Sequence, residues 1–159
     1  MKVKFVKLVT NATEPQKNND SSGYDLYSAE NIVIPAGKFK TVRTGIAIEP
    51  EMFNNNHKLL MEKYTNFSVN WDIQIRSRSG LSANNGIFVI NGVGTIDIDY
   101  RGDIGVPLAN FSDKDFTINI GDRIAQIVFG IRFDWIYFEE VRKLGETERG
   151  NGGFGSTGI

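Results

Sequence analysis

Apolar and polar residues alternate in several short segments of the chain, and this period of two predicts β-strands with one buried face. The clearest example is residues 71–76, in which Trp71, Ile73 and Ile75 alternate with polar side chains. Residues 39–48 show the same alternation and are predicted to form one continuous strand. The other predicted strands are Val3–Val9, Gly23–Ser28, Ile32–Ile34, Gly86–Ile90, Ile104–Leu108, Phe116–Ile120 and Ile124–Phe129.

Turn-forming residues separate these strands at short intervals, and the chain contains 17 glycines. The triplet Pro35-Ala-Gly37 is a typical turn signal. Pro107 indicates that its strand lies at a sheet edge or carries a bulge, because proline cannot donate to a ladder. Leu81–Asn85 leaves room for one short helix. Many short strands with frequent turns predict an all-β protein, either a sandwich, a barrel or a jelly roll.

Length and composition restrict the classes of protein that fit the chain. Its 159 residues carry a net charge of −1 and include no cysteine. A chain of this length can form one domain with its own core. The small net charge provides no field to attract nucleic acid, and no apolar run reaches the length of a membrane span. The lack of cysteine fits a reducing compartment. We therefore expect a cytoplasmic or similar location, without nucleic-acid or membrane partners.

Residues 91–103 combine turn formers, several aspartates, an aromatic ring and flexible backbone. We predict that residues 95–100 are extended, so that Asp97 and Asp99, two positions apart, leave the same face of a strand. Both a ligand-binding hairpin and an ordinary solvent-facing hairpin fit this composition. The pattern alone does not decide between them.

Four aspartates, Asp25, Asp97, Asp99 and Asp103, are candidate ligands for a hard cation such as Mg²⁺, because its ligands are oxygens. The alternative is that they form local hydrogen bonds in turns. His57 is the single histidine and lies in an asparagine-rich loop. With one histidine and no cysteine, a zinc hydrolase and a Ser-His-Asp triad are both poorly supported. A hydrolase with this sequence would depend on water and a carboxylate.

Two segments have the composition of anion-binding loops. In Ser77-Arg-Ser-Gly80, backbone N–H groups, hydroxyls and a guanidinium follow a strand, as in a phosphate nest, although an ordinary capping turn has the same composition. Residues 150–155 match G-x-G-x-x-G, but only four residues follow Gly155, too few for the helix of a dinucleotide-binding motif. This tail is either disordered or a flap over an anion, and Phe154 favours the flap.

Five segments resemble, in order, the five sequence motifs of the trimeric dUTP pyrophosphatases (dUTPases), and they extend over nearly the whole chain. Each motif is weak by itself, whereas five in the same order are highly specific. They are Gly23-Tyr-Asp-Leu-Tyr-Ser-Ala29, Arg78-Ser-Gly-Leu81, Asn91–Asp103, Gly121-Asp-Arg-Ile-Ala-Gln-Ile127 and Arg149-Gly-Asn-Gly-Gly-Phe-Gly-Ser-Thr-Gly158.

The resemblance implies a β jelly roll or distorted barrel with one short helix, in which residues 1–144 form the catalytic domain. Residues 145–159 would be a glycine-rich flap that reaches a neighbouring subunit of a homotrimer with shared active sites. The implied reaction is hydrolysis of dUTP to dUMP and pyrophosphate with Mg²⁺ as cofactor. It would lower dUTP and supply dUMP for thymidylate synthesis.

The resemblance also implies roles for individual residues. Asp97 matches the acid that orients and deprotonates the attacking water, and Tyr100 matches the ring that packs on the deoxyribose. Asp25 matches an acid near the metal, acting through water, and Phe154 matches the ring that stacks over uracil. The remaining matched substrate-binding positions are Asn91, Gly94, Thr95 and Ile96 in the uracil hairpin, Arg78, Ser79, Gly80 and Gln126 for phosphates, and Arg149, Gly155, Ser156 and Thr157 in the tail.

One segment departs from the family pattern, because the chain between Pro50 and Ile75 looks longer than the family usually has between its first two motifs. Residues 54–70 are therefore expected to be an insertion. The dCTP deaminases share the fold and are an alternative, although residues 104–109 lack the catalytic glutamate that such an enzyme would carry there. A catalytically silent jelly-roll binding module is the other alternative.

Overall fold

A computed structural model of the protein describes residues 2–51, 69–134 and 136–153. These residues contain eleven strands and one helix. In chain order they are β1 (Val3–Lys7), β2 (Tyr24–Tyr27), β3 (Ile32–Ile34), β4 (Phe39–Arg43), β5 (Ile46–Pro50), β6 (Val69–Arg76), α1 (Ser79–Asn85), β7 (Ile87–Val89), β8 (Gly94–Ile96), β9 (Gly105–Asn110), β10 (Phe116–Ile118) and β11 (Arg123–Phe133). The prediction of an all-β protein with one short helix is confirmed.

The strands form two larger sheets, with orders β2-β11-β6-β8 and β4-β9-β7, and two further pairs, β1-β5 and β3-β10. Every pair is antiparallel. Alternation along each strand sends one set of side chains inward, and these form one core. Its fully buried members include Leu26, Ile34, Val42, Ile73, Ile87, Val106, Leu108 and Ile118. Within the described ranges the sheets do not close into a barrel.

Residues 39–48, predicted as one strand, form the two strands β4 and β5, which lie in different sheets. The chain changes sheet at Gly45, whose φ is +67°. A Cβ at Gly45 would lie 2.5 Å from the side chain of Val9 and 3.0 Å from that of Ala12, so only glycine fits. The apolar alternation continues on both sides of the break and therefore gives no sign of it.

Pro107 lies in β9, the central strand of its sheet, and no register shift occurs in either pairing of β9. The prediction of an edge or a bulge is wrong. The Pro107 carbonyl accepts a hydrogen bond from the N–H of Ile90 at 2.9 Å. Since the N–H and C=O of one residue in an antiparallel strand point to the same neighbour, the missing N–H of Pro107 faces Ile90, just beyond the end of β7. The proline therefore removes no bond from the interior of the ladder.

The expected insertion at residues 54–70 lies outside the described residues, except for residues 69 and 70, which begin β6. The described ranges contain no helix long and apolar enough to cross a membrane.

Candidate active site

A polar cluster surrounds Asp25 where β2, β11 and the start of α1 meet. The Asp25 carboxylate is 15% exposed and accepts hydrogen bonds from Arg78 Nε at 3.0 Å and Gln126 Nε2 at 3.3 Å. Arg123 Nη1 lies 3.4 Å from the other carboxylate oxygen. Two guanidinium groups around one carboxylate leave an excess of positive charge, so the cluster can bind an anionic group such as phosphate.

Strand register brings Asp25 and Gln126 together. The two residues are directly opposed in the pairing of β2 with β11, and opposed residues of antiparallel strands share a face. Gly23 lets the start of β2 approach β11 closely, because a Cβ there would lie 3.0 Å from Val128 and 3.2 Å from the Gln126 side chain. A larger residue at Gly23 would move β2 and Asp25 away from Gln126.

The predicted phosphate nest is the start of α1, directly after β6. Arg78 is the N-cap residue in extended conformation, with φ −87° and ψ 123°. The N–H groups of Ser79 and Gly80, in the first turn, have no acceptors within the helix. No atom lies within 4 Å of the position that a Cβ would take at Gly80. The structure thus brings Arg78 into contact with Asp25, and Ser79 and Gly80 follow it as the first residues of α1.

The hairpin that carries Asp97 is less extended than predicted. Strand β8 ends at Ile96, and residues 97–100 form a turn in which the N–H of Tyr100 donates to the carbonyl of Asp97 at 3.0 Å. The prediction that Asp97 and Asp99 share one face of a strand is therefore wrong. Aspartate is common in such turns because its side chain tolerates and supports turn conformations. Asp97 is exposed at the start of this turn.

Tyr100 and Asp103 fasten the far end of the hairpin. The Tyr100 hydroxyl donates to the carbonyl of Asp103 at 2.9 Å, and a Cβ at Gly102 would overlap the tyrosine ring. The Asp103 carboxylate accepts from Arg43 Nε and from the N–H of Gly45, each at 2.8 Å. Asp103 therefore connects the hairpin to the junction between β4 and β5. Asp103 was a candidate ligand for a cation, with hydrogen bonding in turns as the alternative. The structure shows the hydrogen bonds.

The base of the hairpin holds the other predicted uracil-binding residues together. Gly94 is buried against β6, and a Cβ there would lie 3.3 Å from Ile75 and 3.4 Å from the Asn91 amide. The Asn91 side chain therefore lies against the backbone at Gly94. Ile96 packs on the core and Thr95 is exposed. This arrangement holds the Asn91 amide beside the backbone of Gly94.

Asp97 lies in the field of a cation on the same sheet. Arg132 Nε lies 2.7 Å from Asp134, and this hydrogen bond raises the pKa of the Arg132 guanidinium above its usual range. The carboxylates of Asp134, Asp97 and Asp72 add smaller increases in that pKa through their charges. Asp97 thus belongs to an acidic group at the end of the sheet opposite the Asp25 cluster.

Within one chain the Asp25 cluster and the Asp97 turn are separated. Asp25 lies on β2 and Asp97 follows β8, and these are the two outer strands of the order β2-β11-β6-β8. Three spacings of about 4.8 Å place them roughly 14 Å apart across the sheet. The acid and the phosphate-binding cluster of a single chain therefore do not form one compact site.

The tail residues are only partly described. Arg149 is exposed, and its Nε donates to the carbonyl of Gly152 at 3.1 Å within its own turn. The described residues place it in neither the Asp25 cluster nor the hairpin. Phe154, Gly155, Ser156 and Thr157 lie outside the described residues.

A metal ion fits beside Asp25 only through water. The described residues include no group of three or more acidic, histidine or cysteine side chains that could hold a metal ion, and the Asp25 carboxylate is engaged by two guanidinium groups. An adjoining polar cavity of about 400 Å³, lined in part by Asp25, Gln16 and Asp122, has room for a hydrated ion. Mg²⁺ usually keeps several waters and binds through few carboxylates together with substrate phosphates, which agrees with this donor set.

Arg123 belongs to the cluster but was not among the residues predicted from the sequence. A register shift between Arg123 and Ala125 in the pairing of β11 with β2 brings Arg123 beside Asp25. Regular alternation predicts neither the shift nor the direction of the side chain. The available signal was a second basic residue three positions before Gln126.

The comparisons with known proteins agree on one family. A family model described as dUTPase matches residues 68–158. Deoxyuridine 5′-triphosphate nucleotidohydrolases of Helicobacter pylori strain J99 and Crocosphaera subtropica are each 42% identical over 100% of this chain and over 98% and 100% of their own lengths.

Solved structures extend the comparison to the fold. The dUTPase of Staphylococcus bacteriophage 80alpha, solved with dUPNHPP, is 25% identical, with a TM-score of 0.77 and 99% of both chains covered. A mutant dUTPase of phage phi11 of S. aureus, whose structure reveals the coordination of a structural Mg(II) ion, is 22% identical with a TM-score of 0.65 over 93% of this chain and 99% of that one. The fold is thus the dUTPase jelly roll, and with the family model and the full-length relatives this establishes that the chain belongs to the dUTPase family.

Proposed function

We propose that this chain hydrolyses dUTP to dUMP and pyrophosphate, and that it thereby lowers dUTP and supplies dUMP for thymidylate synthesis. The observation that carries the proposal is the 42% identity, over 100% of this chain, to relatives named for this hydrolysis. The polar cluster around Asp25 and the Asn91–Asp103 hairpin supply the two kinds of contact that the reaction requires, one for phosphates and one for the base.

The triphosphate binds at the Asp25 cluster. Arg78 and Arg123 supply positive charge, and the first-turn N–H groups of Ser79 and Gly80 supply neutral donors. The Gln126 amide orients against Asp25 and can turn toward a phosphate oxygen. Asp25 would hold Mg²⁺ through water, and the ion would supply positive charge to the phosphate oxygens.

Uracil is recognised by the hairpin backbone near Gly94 and by the Asn91 amide. Uracil presents one N3 donor between two carbonyl acceptors, whereas cytosine reverses part of this pattern. A rigid backbone leaves the wrong base with unpaired polar groups, and such mismatches discriminate by about 10⁴–10⁵. Tyr100 packs on the deoxyribose and leaves no room for a 2′-hydroxyl, and Phe154 stacks over the base.

Asp97 orients the attacking water. A carboxylate is a weak base, so the main contribution of Asp97 is to hold the water in line with the α-phosphate. The guanidinium groups of Arg78 and Arg123 stabilise the negative charge that develops on the phosphate oxygens. The proton of the water is accepted at a carboxylate oxygen of Asp97.

The functional unit is a homotrimer in which neighbouring chains complete each site. The separation of at least about 14 Å between Asp25 and Asp97 in one chain supports this assembly. Residues 145–159, with Arg149, Gly155, Ser156 and Thr157, close over the phosphates of a neighbouring subunit. Residues 1–144 form the catalytic domain, and residues 54–70 are an insertion in it.

The segment that precedes the flap also supports association between chains. Residues 136–144 carry large apolar side chains that are at least half exposed, a pattern that marks interaction sites. They are Ile136, Tyr137, Phe138, Val141 and Leu144.

Strand β1 offers a surface that such a segment could cover. Within the described part of the chain β1 pairs only with β5 and keeps one free edge. Beside it lies an aromatic groove of about 530 Å³, lined in part by Phe5, Trp71 and Phe129. The lysines of β1 complement Glu139 and Glu140 of the segment.

A pyrophosphate-release assay with dUTP, dTTP, dCTP and UTP tests the activity. We expect rapid release from dUTP and rates at least about 10³-fold lower from the other nucleotides. Ammonia release from dCTP would indicate a deaminase instead, although β9 contains no acidic residue. Nucleotide binding without any turnover would identify a silent binding module.

A further inference from the structure

Three polar side chains form a hydrogen-bonded line along the outer face of β6. Arg76 Nε donates to Gln74 Oε1 at 2.9 Å, and Arg76 Nη2 donates to the same oxygen. Gln74 Nε2 in turn donates to Asp72 Oδ2. The three residues alternate with Trp71, Ile73 and Ile75, which are buried. Since nothing in the core requires this polar line, its position relative to the active site is informative.

The line ends beside the phosphate-binding cluster. Arg76 is directly opposed to Gln126 in the pairing of β6 with β11, and Gln126 is directly opposed to Asp25 in the pairing of β11 with β2. Opposed residues share a face, with Cβ atoms about 4.5–5.5 Å apart. Arg76, Gln126 and Asp25 therefore form one row across three strands. Arg78, two residues after Arg76, joins the same row from the start of α1.

The charge of Arg76 is available to a ligand. Its guanidinium is exposed and is held by a neutral amide. The acid that ends the line, Asp72, meets Arg76 only through the amide of Gln74, so no carboxylate contacts the guanidinium directly. Nη1 of Arg76 has no hydrogen-bond partner among the residues that the structure describes. The row thus presents a third guanidinium beside those of Arg78 and Arg123.

We propose that Arg76 is a further phosphate-binding residue of the nucleotide site, and that Gln74 and Asp72 are positioning residues that hold its guanidinium over the row. The proposal rests on the proposed function, because it assigns Arg76 to the triphosphate of that site. Gln74 accepts from two nitrogens of the guanidinium, so the N–H groups of Nη1 remain available to a ligand. Asp72 fixes the amide of Gln74, so that its oxygen and not its nitrogen faces Arg76.

The variant Arg76→Met tests the charge, and Gln74→Leu tests the positioning. In Arg76→Met we expect the KM for dUTP to rise by roughly 5–20-fold while kcat changes less than about twofold, because the contact acts on substrate and transition state alike. In Gln74→Leu the KM should rise by about twofold to fivefold. The double variant should resemble Arg76→Met alone, since the two residues act as one unit. Arg76→Lys should recover part of the affinity.

Two controls separate phosphate binding from a general effect. Lys40→Met removes one positive charge from exposed β4, in another sheet, and should leave the KM within about twofold of the wild type. Inhibition by deoxyuridine, which has no phosphates, should be unchanged in Arg76→Met. Inorganic pyrophosphate, followed by calorimetry, should bind more weakly to Arg76→Met than to the wild type.

The outcomes distinguish this proposal from the activity itself. An active wild type with an Arg76→Met variant whose KM matches that of Lys40→Met would overturn the role of Arg76 alone. Equal losses of affinity for dUTP and deoxyuridine would also overturn this role, as would a lower melting temperature with unchanged KM, because these results indicate structural damage. A wild type that does not hydrolyse dUTP would refute the proposed function, and the pyrophosphate calorimetry would then still decide whether Arg76 binds phosphate.

Discussion

The substitution Asp97→Asn removes the negative charge proposed to orient the attacking water while it keeps the size of the side chain. Asp97 is exposed at the start of a turn, and its carboxylate accepts no hydrogen bond from another described residue. A surface change of this kind alters the free energy of unfolding by less than about 0.5 kcal/mol. Loss of a positioned general base costs about 10²–10⁴ in turnover. We therefore expect an inactive but stable protein that still binds dUTP.

Asp103→Asn is the matched control, six residues away in the same hairpin. Its carboxylate accepts from Arg43 Nε and from the N–H of Gly45. An amide at this position presents donors to the Arg43 guanidinium and loses a charged hydrogen bond, whose value is reduced because Arg43 is 55% exposed. We expect a loss of about 1–2 kcal/mol in stability, or roughly 2–8 °C in melting temperature, with turnover reduced less than about tenfold.

For both variants, pyrophosphate release under saturating dUTP measures turnover and thermal unfolding measures stability. Calorimetric titration with dUTP measures binding. Turnover near that of the wild type in Asp97→Asn would remove Asp97 from the proposed role. A loss of more than about 2 kcal/mol in the stability of Asp97→Asn would show that its carboxylate supports the fold.

Three further predictions concern the fold and the assembly. Gly45→Ala should destabilise the protein by about 3 kcal/mol, because φ is +67° and the added Cβ meets Val9 and Ala12. Gly37→Ala, with the same φ and no atom within 4 Å, should cost only about 1 kcal/mol, and thermal unfolding of the pair tests the difference. Asp97→Asn and Arg149→Ala chains, each inactive alone, should recover part of the activity when they are unfolded and refolded together, and no recovery despite mixed trimers would mean that the tail serves its own chain. Phe138→Asp should shift light-scattering mass from trimer toward monomer, whereas a trimer of unchanged stability would exclude residue 138 from the interface.

The sequence predicts most strands correctly because one face of each is buried and the alternation is regular. Its errors occur where the backbone leaves the regular pattern. The alternation of apolar and polar residues continues through Gly45 from β4 to β5, so the pattern gives no sign that the chain changes sheet there. The turn after Ile96 depends on a hydrogen bond between Asp97 and Tyr100, which a period of two does not encode.

In the candidate site, too, residues that belong to recognisable motifs were predicted, and residues placed by the folded backbone were not. Asp25, Arg78 and Gln126 were singled out from their motifs, and the structure brings them into contact. Arg123 was missed because a register shift turns it toward Asp25, and Arg76 was missed because its role depends on which strand lies beside β6. Pairing between distant segments is a property of the folded sheet and is not readable from local sequence.

The two attachments of the hairpin have a consequence for the timing of recognition. Ile96 holds one end of the Asp97 turn in the core, and Asp103 holds the other end at Gly45. Only a short loop separates these anchors, so it has few conformations left to lose when the nucleotide arrives. The entropy cost of ordering the turn is met during folding, so the turn is preorganised for the contacts proposed above with the base and the water. Amide hydrogen exchange at Tyr100 should accordingly be slow before dUTP is added and should change little on binding.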